Sequence, residues 1–368
     1  LAGLAFDSIF KIHPFSKPSV KIRLKQALRL GSLLHDIGHG PLSHTTEQVM
    51  PPVDDLKVSI YKKQKRKANH EDYTIKYVMD SAIAESIRKN FNDILPIHVA
   101  CLIDTSIACP DDFFIDNNVD FRPILSQLVS SELDVDRMDY LLRDSYFCGT
   151  TYGQIDLHWI LQNLTFHLWK DKAHLALNRR ALYSFDDFLI SRHHMHLMIY
   201  CHHKSIIYEE MLNKYLTSKN CQFKLPADIN DYTFYNDYKL HEHLSQVKDN
   251  SWAQRIADRK PFKVLMEMHN TVENSRPEKI KDVLSENNIE SIWASSKNRL
   301  SKYHQSDDGE QSYSIFVLDQ YDKRDKPTRI GESTEIFKRY EGARIIDRIY
   351  VSPENYKKAE SLIEKNKL

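Results

Sequence analysis

The sequence predicts a mainly α-helical protein: a helical core over residues 1–225 and a smaller C-terminal α/β region over 226–368. Three observations predict it. Apolar residues recur at helical spacing through much of residues 1–216. Gly and Pro number only 9 and 13 in 368 residues, too few for a loop-rich fold. Runs rich in β-branched and aromatic residues come late, at Ser312 to Leu318 and Ala343 to Val351, and read as strands. A chain of this length also exceeds the usual size of one compact core, which favours two regions.

From Ile22, the residues Leu24, Leu28, Leu34 and Ile37, with the small Ala27 and Gly31, form one apolar stripe. A helix therefore delivers His35 and Asp36 at its C-terminal end. Gly38, Gly40 and Pro41 close it, because they permit unusual backbone angles or forbid helix continuation. A new helix is expected near Ser43, with the hydroxyl as its cap and Glu47 in its first turns. Between Pro51 and Asn69, two prolines, an acidic pair and the basic run Lys62, Lys63, Lys65, Arg66 and Lys67 predict an exposed loop or insertion. Helical patterning resumes from about Asp72. A helix from about Ser130 to Asp144 precedes the turn-rich CGTTYG, and a long helix is expected from about Ser184 to Leu216. No repeat of solenoid period is visible.

Composition narrows the class of function. Lys plus Arg and Asp plus Glu are both 51, so there is no overall basic field to hold nucleic acid, and any anion site must be local. Five Cys without a C-x-x-C pair fit a reducing compartment, so the cytoplasm is expected. No stretch approaches the roughly 18 apolar residues of a membrane span. The chain opens on Leu1 inside what reads as a helix, so an upstream segment is expected to be missing.

Chemistry concentrates in three places. HDIGHGPLSHTTE, residues 35 to 47, gathers His35, Asp36, His39, His44 and Glu47, a dense set of metal ligands and proton-transfer groups suited to a divalent ion such as Mn, Fe, Zn, Ni or Mg. A lone His-Asp pair is more often a surface hydrogen bond. A cluster of this size at the end of an apolar helix would cost several kcal/mol to bury unless paired or metal-bound. In SELDVDRMDYLLRDSYFCG, residues 131 to 149, a helix places Asp136, Tyr140 and Asp144 on one face, while Asp139 and Arg143 make an ordinary helix ion pair. In SRHHMHLMIYCHHK, residues 191 to 204, Arg192, His196, Tyr200 and Lys204 make one polar, cationic stripe that calls for an anion if it faces inward, or is simply a solvated face. His70-Glu71 alone would mark only a helix start.

The strings LLHDIGHGPLSH, NHE and SELDVDRMDYLLRDSYFCGTTYG resemble, in order and spacing, the HD-domain triphosphohydrolases that cut dNTPs into deoxynucleoside and inorganic triphosphate. That family includes bacterial dGTPases and a human antiviral dNTPase. The resemblance covers roughly residues 1 to 216 and makes residues 1–225 an HD phosphohydrolase domain, with 226–368 suited to oligomerisation or regulation. It implies a divalent metal held by His35, Asp36 and Asp136, with a fourth histidine ligand upstream of the supplied sequence, and a second Mg carried with the nucleotide. His44 matches the catalytic histidine and Glu47 its carboxylate partner; His39 and His70 match histidines of the phosphate path. Arg137 stands where a cation meets the phosphates, Tyr140 where a hydroxyl does, and Asp144 where a carboxylate receives the sugar 3′-hydroxyl. Arg192, His196 and Tyr200 match a further triphosphate and sugar wall, to which helical geometry adds Lys204. The implied partners are a dNTP substrate, an activating nucleotide at a second site and further copies of the chain, with only weak support for nucleic acid.

Two other readings are carried. One is an HD phosphohydrolase acting on another nucleotide as phosphatase or phosphodiesterase. The other is a nucleotide or nucleic-acid sensor that binds without turnover.

Overall fold

The computed structural model describes residues 1–12, 15–272, 274–298, 315–319, 321, 326–334, 336 and 344–367. The chain is mainly helical with small sheets. It divides into two compact units, each assembled from separate stretches of sequence.

The first unit takes Leu1–His39, Val53–Met195 and the described residues of 300–341. Its early helices are α1 (Ala2–Ile9), α2 (Pro18–Leu34), α3 (His70–Asp80), α4 (Ala82–Asn90) and α5 (Pro96–Ile103). Then come α6 (Arg122–Val129), α7 (Val135–Cys148), α8 (Leu157–Asn163) and α9 (Leu182–Met195). In α2, Pro18 occupies the first turn, where its missing N–H costs nothing, and Val20, Leu24, Ala27, Leu28, Gly31 and Leu34 form the buried stripe. Phe6, Phe10, Tyr73, Phe121 and Leu125 complete the core around it. After the short strands β1 (Ile115–Asp116) and β2 (Val119–Asp120), strands β3 (Leu164–Trp169) and β4 (Lys172–Asn178) form a hairpin whose two turn residues, Lys170 and Asp171, have φ of 51° and 58°. β4 also runs parallel to the short strand Phe316–Leu318, the described part of the run expected from 312; residues 312–314 lie outside the described residues.

The second unit takes Gly40–Pro52, His196–Arg299 and the described residues of 342–368. Its sheet is three-stranded and antiparallel, in the order Lys263–Asn270, Arg344–Val351, Ser291–Asn298. The central strand is buried over nearly its whole length, which is why it reads as an apolar run rather than an alternating one; residue 343, where the run was expected to start, is outside the described residues. One sheet face packs Ile349 and Val351 on Ile280 and Leu284 of the helix Arg276–Glu286 and on Ala359 of the helix Tyr356–Asn366. The other packs Ile292, Ala294 and Tyr350 on Ile207 and Met211 of α10 (His203–Leu216).

Three expectations need correction. The long helix from 184 to 216 is interrupted: α9 ends at Met195, His196–Tyr200 is a π turn with Cys201 N donating to His196 O at 2.7 Å, and α10 starts afresh at His203. A π turn holds an extra residue, so the i+4 stripe through Arg192, His196, Tyr200 and Lys204 is not one face of one helix. Ser43 does not cap an α-helix. Leu42 and Ser43 are both left-handed, with φ of 53° and 57°, and the segment Ser43–Val49 is a 3₁₀ helix without a side-chain cap. Finally, the loop over 51–69 is only partly solvated. Val53, Leu56 and Val58 are buried, Val53 N donates to Arg66 O at 3.0 Å, and Arg66 grips the buried Asp72 with two bonds of 2.6 Å.

Candidate metal centre

His35 caps the C-terminal end of α2, and Asp36 follows in the turn. That turn cannot be built with a side chain at 38. A Cβ on Gly38 would stand 2.1 Å from His70 O and 2.3 Å from Thr74 N, because the first turn of α3 lies directly against it. The contact is sealed by Gly38 N donating to Thr74 Oγ1 at 3.0 Å, and by Thr74 Oγ1 donating to His35 O at 3.0 Å. Docked in this way, α3 brings His70 over His39, the two rings stacking at 4.0 Å and 7°. The start of α3 is itself fixed by Asn69 and Asp72, which form a reciprocal capping box that Arg66 clamps from outside.

From the first helical turn of α7, Asp136 meets this end of α2. His35, Asp36 and Asp136 each offer one ligand atom, all within 4.8 Å of one another. His35 Nε2 is 3.5 Å from Asp36 Oδ2 and 3.7 Å from Asp136 Oδ1, and His39 Nε2 is 3.7 Å from Asp36 Oδ1. His35 Nδ1 donates to Ser32 O at 3.1 Å. That bond settles the tautomer: the neutral ring carries its proton on Nδ1 and presents the Nε2 lone pair to the carboxylates, the arrangement a metal-bound histidine needs. Burial pulls the His35 pKa down, but the nearby carboxylates of Asp136 and Asp36 outweigh it and raise the value to about 9. Two acidic groups around one imidazole thus favour positive charge among them. The donor set of one imidazole and two carboxylates fits a borderline or hard divalent ion, with Asp36 exposed enough to leave room for further ligands. A cavity of about 690 Å³ opens beside His35 and Asp136, lined also by Arg29 and Asp139.

A second trio with ligand spacing, His98, Cys109 and Asp111, fails the same test. Here His98 Nδ1 accepts from Leu95 N at 3.1 Å, so Nε2 bears the proton and gives it to Asp111 Oδ2 at 3.1 Å. His98 is a capping residue of α5, and a metal at its Nε2 would need the ring twice deprotonated.

The rest of the first unit's predicted wall lies along α7 and α9. Asp136, Tyr140 and Asp144 follow one another at helical spacing, and all three are half-buried. Asp139 and Arg143 make the expected i, i+4 pair, at 2.8 and 3.0 Å. Asp134, for which the sequence suggested no task, is the N-cap of α7: it accepts from Arg137 N at 2.7 Å and Ser131 N at 2.8 Å, and also holds the Arg137 guanidinium. Burial raises its pKa to about 6 against the pull of Arg137. Arg192 is buried and bonded to the buried Glu132 at 2.6 Å. Burial raises the Tyr140 pKa, with Arg192 and then Arg137 opposing. Neither Asp134 nor Glu132 stood out in sequence. The L-D-V-D spacing before the helix could have marked Asp134 as a cap, whereas nothing local could have paired Glu132 with a residue 60 positions away.

The second unit holds the remaining predicted residues. His44 Nδ1 donates to Glu47 Oε1 at 3.0 Å, which leaves Nε2 as the ring atom for proton exchange. His196 and Tyr200 meet edge to face at 5.0 Å within the π turn. Lys204, exposed in the first turn of α10, lines a cavity of about 470 Å³ with His203, Arg259, Lys260 and Lys263 around Phe262.

Known proteins resemble this chain in both parts. A profile described as the HD associated region matches residues 155–296. The matched stretch is thus similar to a region associated with HD domains. Among curated relatives, a protein of Mycoplasma pneumoniae is 34% identical over 60% of this chain and 46% of its own length. A deoxynucleoside triphosphate triphosphohydrolase, the SAMHD1 homologue of Dictyostelium discoideum, is 25% identical over 63% of this chain and 40% of its own length. The chain spans about half the length of the curated relatives it matches. Two crystal structures share the fold. A protein from Aquifex aeolicus superposes with a TM-score of 0.70 at 23% identity, covering 98% of this chain and 83% of that one. A phosphohydrolase from Bacteroides thetaiotaomicron gives 0.61 at 21% identity, covering 95% and 84%. No helix among the described residues is long and apolar enough to cross a membrane.

Proposed function

We propose that the chain hydrolyses dNTPs to deoxynucleoside and inorganic triphosphate. The observation that carries the reading is the His35, Asp36 and Asp136 cluster with its Nε2 lone pair set by Ser32 O. The similarity to a relative named for this reaction supports the choice of substrate. His35, Asp36 and Asp136 would hold a divalent cation, which when bound supplies the Lewis acidity that polarises a phosphoryl oxygen.

The chain's own groups do the rest. Water attacks the α-phosphorus, the bond from phosphorus to the 5′-oxygen breaks, and that oxygen leaves as a strongly basic alkoxide unless it is protonated. His44 Nε2 is the donor, with Glu47 fixing the ring and stabilising its charged form. Arg137 and Arg192 neutralise the triphosphate, Tyr140 donates to it, Asp144 receives the 3′-hydroxyl, and His39 and His70 flank the phosphates. His196 and Tyr200 take the sugar side, where the Tyr200 ring crowds a 2′-hydroxyl. The basic cavity around Lys204 and Arg259 suits the phosphates of an activating nucleotide.

The test is product analysis. The protein is incubated with each dNTP and Mg or Mn, and the products are separated. Inorganic triphosphate and deoxynucleoside are expected in equal amounts; release of orthophosphate or pyrophosphate instead would move the reading to the other HD phosphohydrolases.

A further inference from the structure

Both cations facing Tyr140 are answered by a buried carboxylate. Asp134 is pinned by the amides of Ser131 and Arg137 and holds the Arg137 guanidinium. Glu132, only 1% exposed, holds Arg192 Nη1 at 2.6 Å. Each guanidinium thus has a carboxylate of its own before any anion arrives. Stability does not explain the second pair, since a buried ion pair is commonly no better than apolar residues of the same volume. The Arg192 Nε–H gives the direction: it is buried and has no hydrogen-bond partner among the described residues. Burying an orphaned donor is unfavourable. The guanidinium is therefore fixed by one edge while another donor lacks an acceptor.

We propose that Glu132 is a positioning residue that aims Arg192 and masks part of its charge, so that a polyphosphate is gripped by the remaining guanidinium edge yet can depart. The inference rests on the reading above in placing phosphates against Arg192. Replacing Glu132 by Gln keeps the acceptor oxygen and the shape but removes the negative charge, so the wall becomes more cationic. Glu132→Asp keeps the charge but withdraws the carboxylate by one methylene.

The experiment is calorimetric titration of the full chain with inorganic tripolyphosphate in excess Mg. Glu132→Gln is expected to bind about tenfold more tightly, equivalent to about 1.4 kcal/mol. In an Arg192→Gln background the same change should shift affinity by less than about twofold, because Glu132 acts through the arginine. Glu132→Asp should bind severalfold more weakly, and it carries the test if the Gln variant does not fold. The idea is overturned by equal tightening with and without Arg192, by no tightening in a variant that melts like the parent, by an Asp variant indistinguishable from the parent, or by a parent that binds no tripolyphosphate. Cleavage assays stay independent. A protein that splits no dNTP but shows Arg192-dependent tightening keeps this inference and loses the reaction, and the reverse pattern does the opposite.

Discussion

Replacing His174 by Leu should make the protein more stable and remove a definite part of its acid sensitivity. His174 lies in the middle of β4, 2% exposed, with neither ring nitrogen hydrogen-bonded among the described residues. Its cross-strand partner is His167, and Trp169 and Phe316 pack on it edge-on. Burial, with lesser repulsion from Lys172 and His167, lowers its pKa from 6.5 to about 4. Because the folded value lies below the unfolded one, the unfolded chain takes up this proton first. The stability involved is intact above pH 6.5 and drains away as pH falls toward 4. Between pH 7 and pH 5 the loss integrates to about 2 kcal/mol. At pH 7 the leucine also removes an unsatisfied polar group, for a gain of about 1 kcal/mol. Hydrogen exchange of the β4 amides, read at pH 7, 6 and 5, isolates the first unit from the rest of the chain. The advantage of His174→Leu should therefore grow from about 1 to about 3 kcal/mol across that range. An advantage independent of pH, or a variant less protected than the parent at pH 7, would refute the reasoning.

Further perturbations address the site. Asp136→Asn should leave the fold in place while lowering Mn affinity, measured by calorimetry, by about 10- to 100-fold or more, because it neutralises one of two carboxylates around His35. His44→Gln should reduce turnover of dNTP by about 10²- to 10⁴-fold with little change in KM, and Glu47→Gln should produce a smaller drop of the same kind; an unchanged kcat in both would remove the pair from proton transfer. Gly38→Ala should abolish metal binding or folding outright, seen by circular dichroism and Mn titration, since the added methyl cannot coexist with His70 O at 2.1 Å.

Some of this was legible in the sequence for simple reasons. The helix leading into His35 announces itself because its buried face is a single stripe from Val20 to Leu34. The face through Asp136, Tyr140 and Asp144 follows from period alone once a helix is granted. The π turn at His196–Tyr200 was not legible, since one extra residue in a turn leaves the composition on either side unchanged and no Gly or Pro marks the place. Nor was the 3₁₀ start at Ser43, where two successive left-handed residues are neither Gly nor Asn. Local pattern is equally silent on the pairing of Glu132 with Arg192, and on the way Gly40–Pro52 joins the later stretches in one compact unit while its neighbours on both sides belong to the other.

The Arg66 clamp bears on how this region tolerates change. The excursion that begins at Val53 is tied off at its base by the Val53 to Arg66 bond, and the knot is anchored again on Asp72. The largely exposed stretch 62–65 can lengthen, shorten or exchange lysines while α3 stays where it is, because doubling such a loop adds only about 0.6 kcal/mol of closure entropy. The knot itself has no such freedom: a lysine at 66 would have one point of attachment where the guanidinium has two. Divergence among relatives should therefore pile up within residues 62–65 and stop abruptly at Arg66.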